Sequence, residues 1–169
     1  MGLLKDFKYH PPATLKEALS ILGKAKNPLI LGGGTSVLNY LKKASRYPTD
    51  VISLKKITEL CGIKSSAQGL SIGAMTTISE LAQDQVLEQR FTSLHQACQK
   101  LATTPVRNMA TIGGNLASRF FWVDLPAVLI SLGAKVVYVS KKGKKTVSVE
   151  EFLKDRDFKK SILTSTVCK

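Results

Sequence analysis

Pro28-Leu29-Ile30-Leu31-Gly32-Gly33-Gly34-Thr35-Ser36 passes from a short apolar run straight into three glycines and two hydroxyls. The apolar run reads as a buried strand, Ser36 to Lys43 as a helix, and Val51-Ile52-Ser53-Leu54 as a second strand. Strand, glycine loop, helix and strand make a small βαβ-like unit over about the first 55 residues. Three successive glycines cost backbone entropy, so they need a local reason. One reason is phosphate binding, because a loop without Cβ atoms can present several N–H groups to an anion at close range. Thr35 and Ser36 would add hydroxyl donors. A tight strand-to-helix turn with no ligand satisfies the same pattern.

The nature of a phosphate ligand is narrowed by what the loop lacks. The pattern GxxxxGK[ST] of nucleoside-triphosphate hydrolases is absent. The dinucleotide fingerprint GxGxxG fails because its last glycine falls at Val37. A second loop, Ala110-Thr111-Ile112-Gly113-Gly114-Asn115, repeats the chemistry of the first, with paired glycines between polar side chains. Two such loops can grip both phosphates of a diphosphate. Asn115 and Asp124 can then bond sugar hydroxyls or a ribityl chain, and Arg107 can offset phosphate charge. The competing readings are a solvated loop for Arg107 and an N-cap of the following helix for Asp124.

The rest of the chain supports a mixed α/β architecture. Thr14-Leu15-Lys16-Glu17 is a capping-box sequence, followed by Leu15, Ala18, Leu19 and Leu22 at helical spacing and Gly23 as a stop. Residues 61–64 and 70–73 flank a polar turn as in a hairpin. Helices are expected from Ile78, around residues 91–101 and over 125–132, with 103–115 as a loop containing a short extended stretch. His95 and Cys98 fall on the 91–101 helix, as packing or surface residues. Residues 136–139 and 146–149 pair across the lysine-rich turn 141–145.

Composition excludes more than it selects. Hydrophobic content of 44% and charged content of 22% are those of an ordinary globular protein. The net charge of +13 favours anionic partners, or reflects a soluble lysine-rich surface. The basic residues are dispersed and no aromatic-interleaved stripe accompanies them, so nucleic-acid binding is not expected. Three widely spaced cysteines and two histidines give no metal-ligand spacing. No signal-peptide stretch or membrane-spanning run is present, and a cytoplasmic, membrane-free protein is expected.

Four stretches taken together resemble a known family. They are residues 31–36, Ile72-Gly73-Ala74-Met75-Thr76-Thr77, Arg107-Asn108-Met109-Ala110-Thr111-Ile112-Gly113-Gly114-Asn115-Leu116, and Asp124-Leu125-Pro126-Ala127. In this order they resemble the FAD-binding domain, the medium or flavoprotein subunit, of the molybdenum hydroxylases of xanthine dehydrogenase and carbon monoxide dehydrogenase type. The resemblance implies an α+β, two-lobed FAD-binding fold of the vanillyl-alcohol oxidase (PCMH) type. Residues 1–55 would form a small α/β lobe, and residues 56–169 a larger mixed-sheet lobe with helices. It implies FAD as cofactor, held by Leu31, Gly32, Gly33, Gly34, Thr35, Ser36, Ala74, Thr111, Ile112, Gly113, Gly114, Asn115 and Asp124, with no catalytic side chain and no metal ligand. It implies an iron–sulfur subunit and a molybdopterin-binding subunit as partners, with electrons passing through the flavin to NAD or another acceptor.

Two departures from the family pattern stand out. Arg119-Phe120-Phe121-Trp122-Val123 stands where the family has small and polar residues with a proline. These aromatics can stack on the flavin, face a partner, or fill the flavin site. The family's C-terminal domain is expected to be absent, with Phe158–Lys169 resembling the segment that connects to it. These departures support an alternative, a reduced homologue that acts as a non-catalytic binding or assembly module.

Overall fold

A computed structural model describes residues 6–42, 47–67, 69–120, 123–155 and 158–168. The first unit runs β1 (Lys8–His10), α1 (Leu15–Lys24), β2 (Pro28–Leu31), α2 (Val37–Lys42) and β3 (Asp50–Ser53). The sheet is parallel throughout, in the order β1-β3-β2. β3 is central because its β-branched Val51 and Ile52 can be buried on both faces. β1 has no apolar alternation to announce it; pairing with β3 makes it a strand. His10 Nε2 meets Asp50 Oδ1 at 2.8 Å and clips β1 to β3. Hydrogen bonds from Thr49 and His10 hold the Asp50 carboxyl below its ordinary pKa.

α1 starts where its sequence predicts, with the Thr14 hydroxyl accepting the Glu17 N–H at 3.2 Å. The Glu17 carboxylate closes on the Ala13 N–H at 2.9 Å rather than on Thr14. The helix does not stop at Gly23 but continues to Lys24, where the Ala25 N–H caps the Ile21 carbonyl.

The second unit runs β4 (Ile63–Ser66), β5 (Gly69–Gly73), α3 (Ile78–Gln83), α4 (Gln85–Arg90), α5 (Thr92–Lys100), α6 (Thr104–Met109), α7 (Ile112–Ser118), α8 (Leu125–Ser131), β6 (Lys135–Ser140), β7 (Gly143–Ser148), α9 (Val149–Lys154) and β8 (Ser161–Cys168). Its sheet has the order β4-β5-β8-β6-β7, and every pair is antiparallel.

Two differences from the sequence reading bear on the site. Residues 103–115 are not a loop but two short helices, α6 and α7, joined at Ala110 and Thr111. Pro105 suits the first turn of α6, and the Thr111 side chain caps α7. The helical penalty of Gly113 and Gly114 is overridden by tertiary packing. The tail, too, is regular structure. Residues 161–168 are β8, the middle strand of the larger sheet. Its Ser- and Thr-rich sequence hides the strand, because the residues that bury it, among them Ile162, Leu163 and Thr166, do not form an apolar run. Thr164 is the extra residue of a bulge opposite Val137 and Tyr138, and its hydroxyl donates to the Val137 carbonyl at 3.0 Å.

β8 also joins the two hydrophobic cores. Leu163 packs in the larger core with Ile72, Ile78, Leu94, Ile112, Val136 and Phe152. Its neighbour Ile162 packs in the smaller core with Ala18, Leu22, Ile52, Leu54, Ile57, Leu60 and Met75. The smaller core thus draws residues from well beyond position 55.

Cys98 lies fully buried on α5 and Cys168 at the end of β8, whereas Cys61 is exposed. Burial pushes the Cys98 thiol up to about 12 and that of Cys168 to about 11. A thiol reagent in mildly alkaline buffer is therefore expected to label Cys61 in the native chain and the other two only after denaturation. Peptide mapping of the labelled protein checks this; fast labelling of Cys98 would contradict the packing described.

Candidate functional site

Because β2 and β3 are parallel and Leu31 pairs with Ser53, the segments leaving their carboxyl ends emerge side by side. One of them is the glycine loop. Gly34 has φ of +87°, a left-handed conformation that glycine adopts without strain. The loop's carbonyls are engaged inward: Gly34 accepts the Leu38 N–H at 3.1 Å, Thr35 accepts Asn39 Nδ2 at 3.2 Å, and Ser36 accepts the Tyr40 N–H at 3.3 Å. No acceptor among the described residues takes the backbone N–H groups of residues 32–36. The loop is therefore a row of donors.

The second glycine segment is pressed against the first. A Cβ on Gly33 would lie 1.8 Å from the Met109 carbonyl oxygen, and one on Gly32 would lie 3.2 Å from Thr111 Oγ1. The second segment is itself zipped to the turn after β5. Ile112 N–H donates to the Thr76 carbonyl at 3.1 Å, Gly113 N–H to Ala74 at 2.9 Å, and Ile78 N–H to Ala110 at 2.9 Å. A Cβ on Gly113 would meet the Ala74 carbonyl at 2.7 Å, so this contact also needs glycine. Ala74 in turn hangs on β8, donating its N–H to the Thr164 carbonyl at 2.9 Å.

The two loops thus converge with different equipment. In the first turn of α7, Gly114 N–H donates to Thr111 Oγ1 at 3.1 Å and Asn115 N–H to the Thr111 carbonyl at 2.9 Å. With Ile112 and Gly113 also bonded, the second loop contributes side chains and surface where the first contributes free amides. Asn115 Oδ1 is buried with no hydrogen-bond partner among the described residues. A cavity of about 270 Å³ lies between the loops, with Gly33 and Thr111 in its lining together with Lys55, Cys61, Met75 and Asn108. A larger hollow of about 400 Å³ sits at the opposite end of the small sheet, near Lys8, Lys24 and the His10–Asp50 pair. The smaller cavity is the better candidate, because ligands of parallel sheets bind at the carboxyl ends of strands.

Three side chains stand differently from their sequence readings. Arg107 donates to the carbonyls of Leu101 at 2.9 Å and Ala102 at 3.0 Å and to Thr104 Oγ1 at 3.0 Å. It braces the left-handed turn at Ala102 (φ 46°) and is neither a solvated loop residue nor a free phosphate cation. Asp124 sits at the start of α8 but its side chain makes no capping bond; it is exposed. Arg119, left-handed at φ 53°, donates to the Phe152 carbonyl at 3.0 Å and to that of Asp155, and lies over the Phe152 ring at 5.1 Å. Of the aromatics, Phe120 rests against Tyr40 of α2 with centroids 6.1 Å apart, which ties the two units together. Phe121 and Trp122 lie outside the described residues.

Residues 5–166 match the family described as the FAD binding domain in molybdopterin dehydrogenase. The chain belongs to this family. Among relatives of this FAD-binding domain are the glyceraldehyde dehydrogenase medium chain of Sulfolobus acidocaldarius and the carbon monoxide dehydrogenase medium chain of Hydrogenophaga pseudoflava. The first is 31% identical over 149 residues, covering 88% of this chain and 53% of the relative. The second is 33% identical over 147 residues, covering 86% and 51%. A solved carbon monoxide dehydrogenase from H. pseudoflava, lacking the Mo-pyranopterin moiety, superposes with a TM-score of 0.93 at 28% identity, over 99% of this chain and 60% of that one. The FAD-binding domain described here spans about half the length of the medium chains it matches. Lys55, which the sequence did not single out, shares the cavity lining with Gly33 and Thr111 of the two loops. The available signal was register: Lys55 lies as far beyond Ser53 as Gly33 lies beyond the paired Leu31.

Proposed function

We propose that this chain binds FAD with the diphosphate between residues 32–36 and 111–115, as the flavoprotein component of a molybdopterin-dependent dehydrogenase. Its partners in this reading are an iron–sulfur subunit and a molybdopterin-binding subunit. Bound FAD would supply an electron relay from the iron–sulfur partner to NAD or another acceptor. What carries the reading is the row of unengaged N–H groups at residues 32–36 where it presses on the Met109–Thr111 segment. These amides, with the Thr35 and Ser36 hydroxyls, suit phosphate oxygens. The orphaned Asn115 Oδ1 suits a hydroxyl donor of the ligand, and the uncapped Asp124 carboxylate suits another. Ala74 and Ile112 act by positioning, the one holding Gly113 and the other anchoring α7 in the core. The protein's part is to bind and orient; no side chain is required as acid, base or nucleophile.

Among the described residues no helix is long and apolar enough to cross a membrane, and no group of three or more His, Cys, Asp or Glu is placed to hold a metal. We place the protein in the cytoplasm, docked through its basic surface to acidic partner faces. The test is a titration of the purified chain with FAD, followed by flavin absorbance and fluorescence. Uptake of one FAD per chain is expected; a chain that takes up none overturns the reading. Bound FAD that a cognate iron–sulfur subunit fails to reduce would favour the non-catalytic binding module.

A further inference from the structure

A cavity that holds two phosphates gains from a cation, and Arg107 is not available to be one, because its guanidinium is bound to the Leu101 and Ala102 carbonyls and to Thr104. Among the described residues, Lys55 is the one charged side chain in the lining of the cavity between the glycine loops. Its backbone is fixed: the preceding Leu54 is buried and donates its N–H to the Leu31 carbonyl at 2.9 Å. Its side chain is exposed and makes no ion pair among the described residues. The register that sets Leu31 opposite Ser53 therefore carries Gly33 and Lys55 to the same end of the sheet.

We infer that Lys55 is a diphosphate-binding residue, its ammonium group supplying the positive charge that faces the free amides of the first glycine loop. The inference rests on the FAD reading above and deepens it. A lysine suits this place because its compact charge on a flexible stem can meet either phosphate, whereas the amides fix the geometry. The inference also separates one lysine from the dispersed excess that gives the chain its net charge of +13. Most of those lysines act only through a screened general field.

The test compares the wild-type chain with Lys55→Gln and Lys55→Arg, and with Lys24→Gln as a variant of equal charge change at the far end of the small sheet. FAD and ADP are the probes, ADP carrying the diphosphate without the flavin. Loss of one charge-assisted contact is expected to weaken both probes by roughly tenfold in Lys55→Gln. Lys55→Arg and Lys24→Gln should bind close to wild type, and all variants should melt at the wild-type temperature, since both lysines are exposed. Equal affinity of Lys55→Gln and wild type for FAD overturns the inference and leaves the FAD reading standing. Equal weakening by Lys24→Gln also overturns it, because only the general field would then be at work. A wild-type chain that takes up no FAD overturns both.

Discussion

Gly33→Ala is expected to weaken FAD binding by about a hundredfold or more while the larger unit stays folded. The added methyl would lie 1.8 Å from the Met109 carbonyl oxygen and 2.6 Å from its carbon. A flexible side chain could swing away from such a contact, but this is backbone, held in place by α6 and by the Ala110–Ile78 hydrogen bond. The loops must therefore part. Overpacking of this kind costs about 1–3 kcal/mol, and the upper end corresponds to roughly two orders of magnitude in affinity. Flavin fluorescence titration reads the loss, and far-ultraviolet circular dichroism shows whether the fold survives. A Gly33→Ala chain with wild-type affinity would mean that the two loops are not in contact.

Phe152→Ala is expected to be the most destabilising single truncation. The side chain is fully buried in the larger core. Its ring meets Phe158 edge-on at 4.6 Å, lies 6.3 Å from Tyr138, and is covered by the Arg119 guanidinium at 5.1 Å. Removing it loses the transfer energy, leaves a cavity and unseats Arg119, for a cost of about 3–5 kcal/mol. For a chain of this size that amounts to roughly 10 °C in melting temperature. Urea unfolding should show a lower midpoint with an unchanged slope. A midpoint shift worth under about 1 kcal/mol would mean that the aromatic cluster is not packed as described.

Much of this molecule was legible in the sequence, for reasons that differ from element to element. β2, α1 and α8 announce themselves because burial alone dictates their pattern: an apolar run, or apolar residues at helical spacing. The two glycine segments stand out because glycine is expensive where it is not needed. The structure shows why Gly33 and Gly113 are needed: each lets one backbone approach another. That reason is tertiary, and so is everything the sequence concealed. α6 and α7 look like a loop because Gly113 and Gly114 are poor helix formers. β8 looks like a polar tail because four of its eight residues are Ser or Thr, and only its pairing with β5 and β6 makes it a strand. Lys55 looks like any surface lysine until the parallel register of β2 and β3 sets it beside Gly33.

The central place of β8 governs the order in which the molecule can be assembled. β5 and β6 flank it, and Leu70 finds its partner in Cys168, almost a hundred positions later. Until β8 arrives, β5 and β6 each expose an unpaired edge, and closing so long a loop makes such pairings slow. Ala74, which seats Gly113, hangs on the Thr164 carbonyl, and the smaller core lacks Ile162. The crevice between the glycine segments is thus complete only once β8 is in place, although the residues that line it precede β8 in the chain. A nascent or partly folded chain would display the sequence of a nucleotide site without yet possessing one.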